Sequence, residues 1–468
     1  MLFSSFAYVF LFLPIVVLGF DFLCARGAPR AAQCWIIAAS IYFYAYGDVR
    51  GVPYLLASAL VNFELGRRVF AAKGAARRTL FRAGLVLNLG QLLLVKYWVF
   101  FFGAITLAAL RPKNLEVPLG ISFFTLAQLM YLTDCYEDVA PPDDLLGHLL
   151  FTCFFPIVSM GPISRARDLQ PLLRRENVRR ARPELVARGL ELFFIGLLKK
   201  AIFAQSFAAL SDAGWGLKRQ LTVSEAWLTA VAFTFELYFD FSGYSDMAQG
   251  SALLLGIDVP QNFDSPYKST SIIVFWRRWH ITLSRFITNY IYTPLLRSRE
   301  RPDFTWAMLM TVVAMMLAGL WHGAAWTFVA FGTCHGVALV INNVWRKVKL
   351  GFPKPLGWAL TFSFLIATLL MFRAENLHGA WRMLCAMLDP RRGFGVEREI
   401  FFDSAPALIR VAFAVLGVVL CFAAPNSNAL SKSFVPSTRR AVMLGLATSI
   451  AIVFMNSSVA KEFIYRDF

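Results

Sequence analysis

The sequence predicts an all-α polytopic membrane protein of about 11–12 transmembrane helices, supplemented by tilted or re-entrant helices. Three observations predict it. Apolar residues make up 58% of the 468-residue chain and charged residues only 16%, against roughly 45–50% and 25% in soluble proteins. Apolar runs of spanning or near-spanning length recur from one end of the chain to the other. The basic residues gather in a few of the loops between those runs.

The runs fall at 2–20, 31–46, 54–65, 83–109, 145–160, 189–209, 225–245, 304–320, 326–344, 356–372, 406–424 and 441–457. Several are shorter than the roughly 20 residues a straight span needs. The first, Leu2 to Phe20, lacks a basic leader and an A-x-A cleavage site, so it reads as a retained span rather than a signal peptide. A further run, VPLGISFFTLAQLMYL (117–132), opens with Pro118 and Gly120. It reads as a tilted or re-entrant helix buried in protein, the only setting in which non-helical backbone is tolerated at membrane depth.

The loops orient the chain. Segment 66–82 carries Arg67, Arg68, Lys73, Arg77, Arg78 and Arg82 with no acid; 165–188 carries eight arginines; 345–354 carries Arg346, Lys347, Lys349 and Lys354. With the spans above, all three fall on one face, which is therefore cytoplasmic. Segment 373–405 lies opposite, its five arginines matched by five acids, and both termini face outward. The net charge of +17 follows from these loops; no nucleic-acid-binding motif accompanies it. The chain reads as one membrane domain over 1–468, with N-terminal helices (1–110), a core (111–345) and C-terminal helices (346–468). None of the seven cysteines forms a CxxC pair, and they read as small buried apolar residues.

A membrane domain without a soluble partner domain works inside the bilayer, as a transporter, an enzyme or a scaffold. Its five histidines are the first candidates for chemistry. His322 sits in LAGLWHGAAW, at the junction of two apolar spans. A histidine there needs a hydrogen bond or an aqueous path, and a buried neutral imidazole can serve as a general base. A structural histidine bonded across helices has the same sequence signature. Gly319 and Gly323 beside it permit close approach of a backbone or a thin substrate. His335 reads as structural, and His148 and His378 as interfacial.

His280 ends FWRRWH in SIIVFWRRWHITLSRF (271–286). On a helical wheel Trp276, Trp279, His280 and Leu283 share one face, with Arg278, Thr282 and Arg285 on another. That pattern fits an interfacial amphipathic helix. It also fits a basic wall for an anionic acyl carrier, whose phosphates arginine holds bidentately. Upstream, FELYFDFSGYSDMAQG (235–250) places Glu236, Asp240 and Asp246 in an apolar run. They read as proton-relay groups of a transporter, or as partners of Arg277, Arg278 or His280.

Five blocks in order carry a resemblance: VPLGISFFTLAQLMYLTDCYED (117–138), FFPIVSMGPISR (154–165), YFDFSGYSDMAQG (238–250), QNFDSPYKSTSIIVFWRRWHITLS (261–284) and GLWHG (319–323), with FIYRDF (463–468) closing the chain. Together they resemble the membrane-bound O-acyltransferase (MBOAT) superfamily, in its bacterial alginate O-acetyltransferase-like branch, near the teichoic acid D-alanyl transfer protein. The resemblance implies a ring of helices around a central tunnel in the bacterial cytoplasmic (inner) membrane. It implies that His322 and His280 are catalytic, His322 assisting acceptor deprotonation or stabilising the transition state. Trp276, Arg277, Arg278 and Trp279 would form the acyl-donor funnel. Asp240, Ser242, Tyr244, Asp246, Asn262, Trp321 and Gly323 would line or support the tunnel. No permanent cofactor or metal is implied; acetyl-CoA or an acylated carrier protein would be the donor. An extracytoplasmic SGNH-type transferase or the glycan itself would be the acceptor. A proton-coupled transporter or flippase, and D-alanyl-type transfer to a cell-wall polymer, are the alternatives.

Overall fold

A computed structural model describes residues 1–102, 117–174, 177–217, 219–349, 351–402 and 405–457. The end of the 83–109 run and the closing FIYRDF lie outside the described residues. Among these residues the chain is helical, with no strand. Among the described residues, seven helices are long and apolar enough to cross a bilayer: Ala7–Ala25, Gly74–Phe102, Pro183–Trp215, Phe304–His322, Trp326–Lys347, Lys354–Arg373 and Thr438–Met455. The chain is a multi-pass membrane protein.

The other apolar runs are helical too, but shorter, more polar or interrupted. The run 145–160 ends as a helix after nine residues, Leu145–Cys153. Pro156 disfavours helical backbone at the residue before it, and the chain turns there instead. The 117–132 run forms Ile121–Tyr136, entered through Gly120 at φ 71°. A Cβ on Gly120 would lie 2.8 Å from the Ser159 carbonyl, so the turn requires glycine. That helix is buried along most of its length, as expected of a segment enclosed by protein.

The chain divides into two compact units. The first comprises Met1–Phe193 and Ser245–Gln261. Its helices Gly51–Ala71 and Gly74–Leu92 are joined by a reciprocal amide pair, Asn62 and Asn88, at 3.2 and 2.7 Å. Each amide also donates to the carbonyl four residues earlier, so both buried polar groups are satisfied inside an apolar contact. Arginines of this unit find acids within it, Arg77 of the helix Gly74–Leu92 on Asp138 and Arg180 on Asp21. His148 is fully buried among the rings of Phe63, Tyr131 and Phe151. It is not interfacial, because the helix carrying it packs inward. The cysteine reading also needs correction: Cys135, Cys153 and Cys421 are buried, but Cys34 is exposed and Cys24, Cys334 and Cys385 are partly so.

The second unit comprises Phe194–Tyr244 and Asn262–Phe468. The helices Phe304–His322 and Trp326–Lys347 form its tightest pair. A Cβ on Gly319 would meet the Phe328 carbonyl at 2.2 Å, and one on Gly332 the Met315 carbonyl at 2.2 Å. Small residues here let two backbones touch, the usual means of helix association in lipid. The short Trp321-to-Trp326 connection therefore holds His322 at a fixed corner.

Candidate active site

The stretch 271–286 is not one amphipathic helix. It forms Ile272–Trp276, capped by the Ser271 hydroxyl, then breaks, and resumes as Ile281–Phe286. His280 sits at the break with φ 42°, a left-handed conformation uncommon for a side-chain-bearing residue. Such outliers persist only where their surroundings hold them. Here Asn262 does so. Its backbone carbonyl accepts from Ile281 N at 2.9 Å. Its Oδ1 accepts from Thr282 N at 3.3 Å and Thr282 Oγ1 at 2.7 Å, and meets His280 Nδ1 at 3.2 Å.

These contacts fix the histidine tautomer. The Thr282 backbone N–H can only donate, so the Asn262 atom it meets is the oxygen. That oxygen can only accept, so His280 Nδ1 carries the proton. In the neutral ring Nε2 then holds a lone pair. Nε2 is buried and has no hydrogen-bond partner among the described residues. The ring is wedged edge-on against Phe241 at 4.7 Å and lies 6.3 Å from Trp321.

His322 ends the helix Phe304–His322 and is 4% exposed. Its ring is 5.1 Å from Trp321 and 5.1 Å from Phe372, with Phe331 at 6.5 Å. The two sequence-nominated histidines thus share one neighbour, the Trp321 indole. His335 is a different case. The Trp276 indole N–H donates to its Nδ1 at 3.2 Å, which leaves Nε2 protonated and bonded to Thr368 Oγ1 at 3.1 Å. Both ring nitrogens are committed to holding helices together.

The acids separate. Asp240 is buried and forms an ion pair with Lys200, so its partner is a residue the sequence reading did not nominate. Ser242 and Tyr244 are buried in the second unit, while Asp246, also buried, belongs to the first. Trp276 and Trp279 are buried; Arg277 is exposed and Arg278 half-buried. Thr282, placed on the opposite face by the wheel, is buried with His280 because the helix break rotates it inward. Gly323 accommodates the Phe328 ring, which a Cβ would meet at 2.3 Å. It serves packing at the His322 corner. No cluster of metal-ligating side chains occurs among the described residues.

Lys200, Thr282 and Phe241 were missed. The Lys199-Lys200 pair inside an apolar run was the one available signal, since an intramembrane lysine requires a partner.

Together these features define a polytopic membrane protein that holds two buried imidazoles against a common aromatic wall, one with its basic nitrogen fixed by an asparagine. The chain belongs to the membrane-bound O-acyltransferase (MBOAT) family, which it matches over residues 115–379, and it is an acyltransferase. It is 33% identical over 519 aligned positions to a peptidoglycan O-acetyltransferase of Helicobacter pylori, covering 100% of this chain and 98% of that one. It is 37% identical over 401 positions to a probable alginate O-acetylase of Azotobacter vinelandii, covering 83% and 78%. A teichoic acid D-alanyltransferase of Streptococcus thermophilus is 30% identical over 250 positions, covering 49% and 58%.

Proposed function

We propose that this acyltransferase takes an acetyl group from a cytoplasmic thioester, acetyl-CoA or an acylated carrier protein, and delivers it to a hydroxyl on the outer side of the bacterial inner membrane. The acetyl group serves O-acetylation of an exported polysaccharide, such as alginate or peptidoglycan, through an SGNH-type partner. In this reading His322 accepts the acceptor hydroxyl proton as the oxygen attacks the thioester carbonyl. The C–S bond breaks, the thiolate leaves towards the cytoplasm, and the proton returns to it. His280 supplies a fixed lone pair at the same wall and can accept a hydrogen bond but not donate one from Nε2. Arg277 and Arg278 flank the approach and suit the phosphates of the donor.

The observation that carries this reading is the shared Trp321 neighbour, which brings together two histidines 42 positions apart in the chain. The relatives named for acetylation of peptidoglycan and alginate support the acceptor class. The transporter alternative rested on Glu236, Asp240 and Asp246 as intramembrane proton-relay acids; the ion pair of Asp240 with Lys200 weakens that use for one of the three. His322→Ala in cells tests the proposal. Loss of glycan O-acetylation, with normal membrane insertion, is expected. Unchanged acetylation would overturn the catalytic assignment.

A further inference from the structure

His335 is fully buried in the helix Trp326–Lys347, and its bonding is more specific than packing requires. The Trp276 indole N–H donates to its Nδ1 at 3.2 Å, and its Nε2 meets Thr368 Oγ1 at 3.1 Å. The Thr368 hydroxyl donates onward to the Phe364 carbonyl at 2.8 Å. An indole N–H can only donate, and the threonine proton is already engaged. Nε2–H therefore donates to Oγ1, and Nδ1 keeps its lone pair for Trp276. The tautomer is fixed from both sides. The relay runs in one direction across three segments, Ile272–Trp276, Trp326–Lys347 and Lys354–Arg373.

The first of these segments cannot hold itself. Ile272–Trp276 has five residues, fewer than the roughly 12–15 that an isolated helix needs. Tertiary anchors place it. The chain that follows is clamped at its far end, where Asp264 N donates to the Arg278 carbonyl and Ile281 N to the Asn262 carbonyl, both at 2.9 Å. At the near end Phe275 and Trp276 are buried. Among the described residues, the bond to His335 is the hydrogen bond that joins this short helix to another segment. Arg277 is exposed, follows Trp276 directly and lies between the two clamps. Loss of the near clamp frees its guanidinium, while Asn262 still holds His280 at the far one.

We infer that His335 is a positioning residue for the acyl donor: acting through Trp276, it aims Arg277 at a phosphate of the incoming thioester. The inference rests on the donor reading under Proposed function and deepens it.

Two substitutions separate this role from packing. An asparagine side-chain oxygen reaches the place of Nδ1, and a glutamine amide nitrogen reaches the place of Nε2. His335→Asn therefore keeps the acceptor for Trp276, and His335→Gln keeps the donor to Thr368. Each forfeits one hydrogen bond, so the two proteins should melt alike. Full-length proteins in nanodiscs are titrated with acetyl-CoA and with an acetylated phosphopantetheinyl carrier protein. For the donor that binds, His335→Gln should raise Kd about tenfold, as loss of one charge-assisted contact would, and His335→Asn less than about twofold. Arg277→Gln should weaken the same donor, and adding His335→Gln to it should weaken binding no further, because both act on one contact. Unchanged binding in His335→Gln would overturn the inference and leave the donor reading standing. So would equal weakening by the two His335 variants, wild-type binding in Arg277→Gln, or additive losses in the double variant. Binding of neither donor by the wild-type protein would refute the donor reading and the inference together.

Discussion

Replacing Asn262 by alanine removes a single oxygen that meets three donors: His280 Nδ1 at 3.2 Å, Thr282 Oγ1 at 2.7 Å and Thr282 N at 3.3 Å. The threonine hydroxyl can rotate to another acceptor, but the ring N–H and the backbone N–H cannot. Each orphaned buried donor costs roughly 1–3 kcal/mol, so with two of them about 2–6 kcal/mol of local stability is lost. The share falling on His280 releases its tautomer. If ~1–2 kcal/mol of orientation is lost at the His280 Nε2 lone pair, acetyl transfer slows about 5–30-fold. Asn262→Asp retains an acceptor oxygen at the same place and is expected to recover most of the rate. The assay is transfer of labelled acetyl from a thioester donor by purified protein in liposomes, with kcat and the pH profile followed across the three proteins. A purely structural role would lower the active fraction and leave the pH profile unchanged. Asn262→Ala turning over at the wild-type rate, in a protein that His280→Ala inactivates, would refute the reasoning.

Three further outcomes follow from the geometry. Lys200→Ala removes the ion-pair partner of the buried Asp240 carboxylate and should cost up to roughly 3–5 kcal/mol, whereas Lys200→Met with Asp240→Asn should be far milder; thermal unfolding in detergent measures both. Gly319→Ala places a methyl 2.2 Å from the Phe328 carbonyl. It should cost ~1–3 kcal/mol and reduce acetylation through displacement of the His322 corner, read as reduced melting temperature together with reduced kcat. The Arg77 guanidinium, bonded to the exposed Asp138, holds that carboxyl below its usual range. A depressed folded-state value gives stability that is present above the unfolded carboxylate pKa and lost as pH falls through the folded one. Asp138→Asn should therefore lower the melting temperature equally at pH 7 and pH 6, with the difference shrinking only in acid.

The helical class, the positions of most apolar runs and the two histidines were legible in the sequence, because hydropathy and scarce polar residues are local signals. What lay beyond it is specific. The wheel over 271–286 assumed continuous helix, and no local pattern announces a left-handed His280; the break depends on Asn262, 18 residues upstream. Asp240 was assigned arginine or histidine partners nearby in sequence, yet its partner is Lys200, 40 residues earlier on another helix. His148 lies beside the polar PPDD turn and so resembles an interfacial residue, although the rings that enclose it come from three separate segments. Tertiary pairing decided each of these, and single-segment periodicity does not encode it.

The most direct measurement of the central claim uses sealed liposomes holding the protein in one orientation. Acetyl-labelled thioester is supplied only on the face bearing the arginine-rich loops, and a hydroxyl acceptor only on the other. Label should appear on the acceptor with the wild-type protein and be lost with His322→Gln, while donor access and insertion are unchanged. Label crossing equally well with His322→Gln would contradict the account.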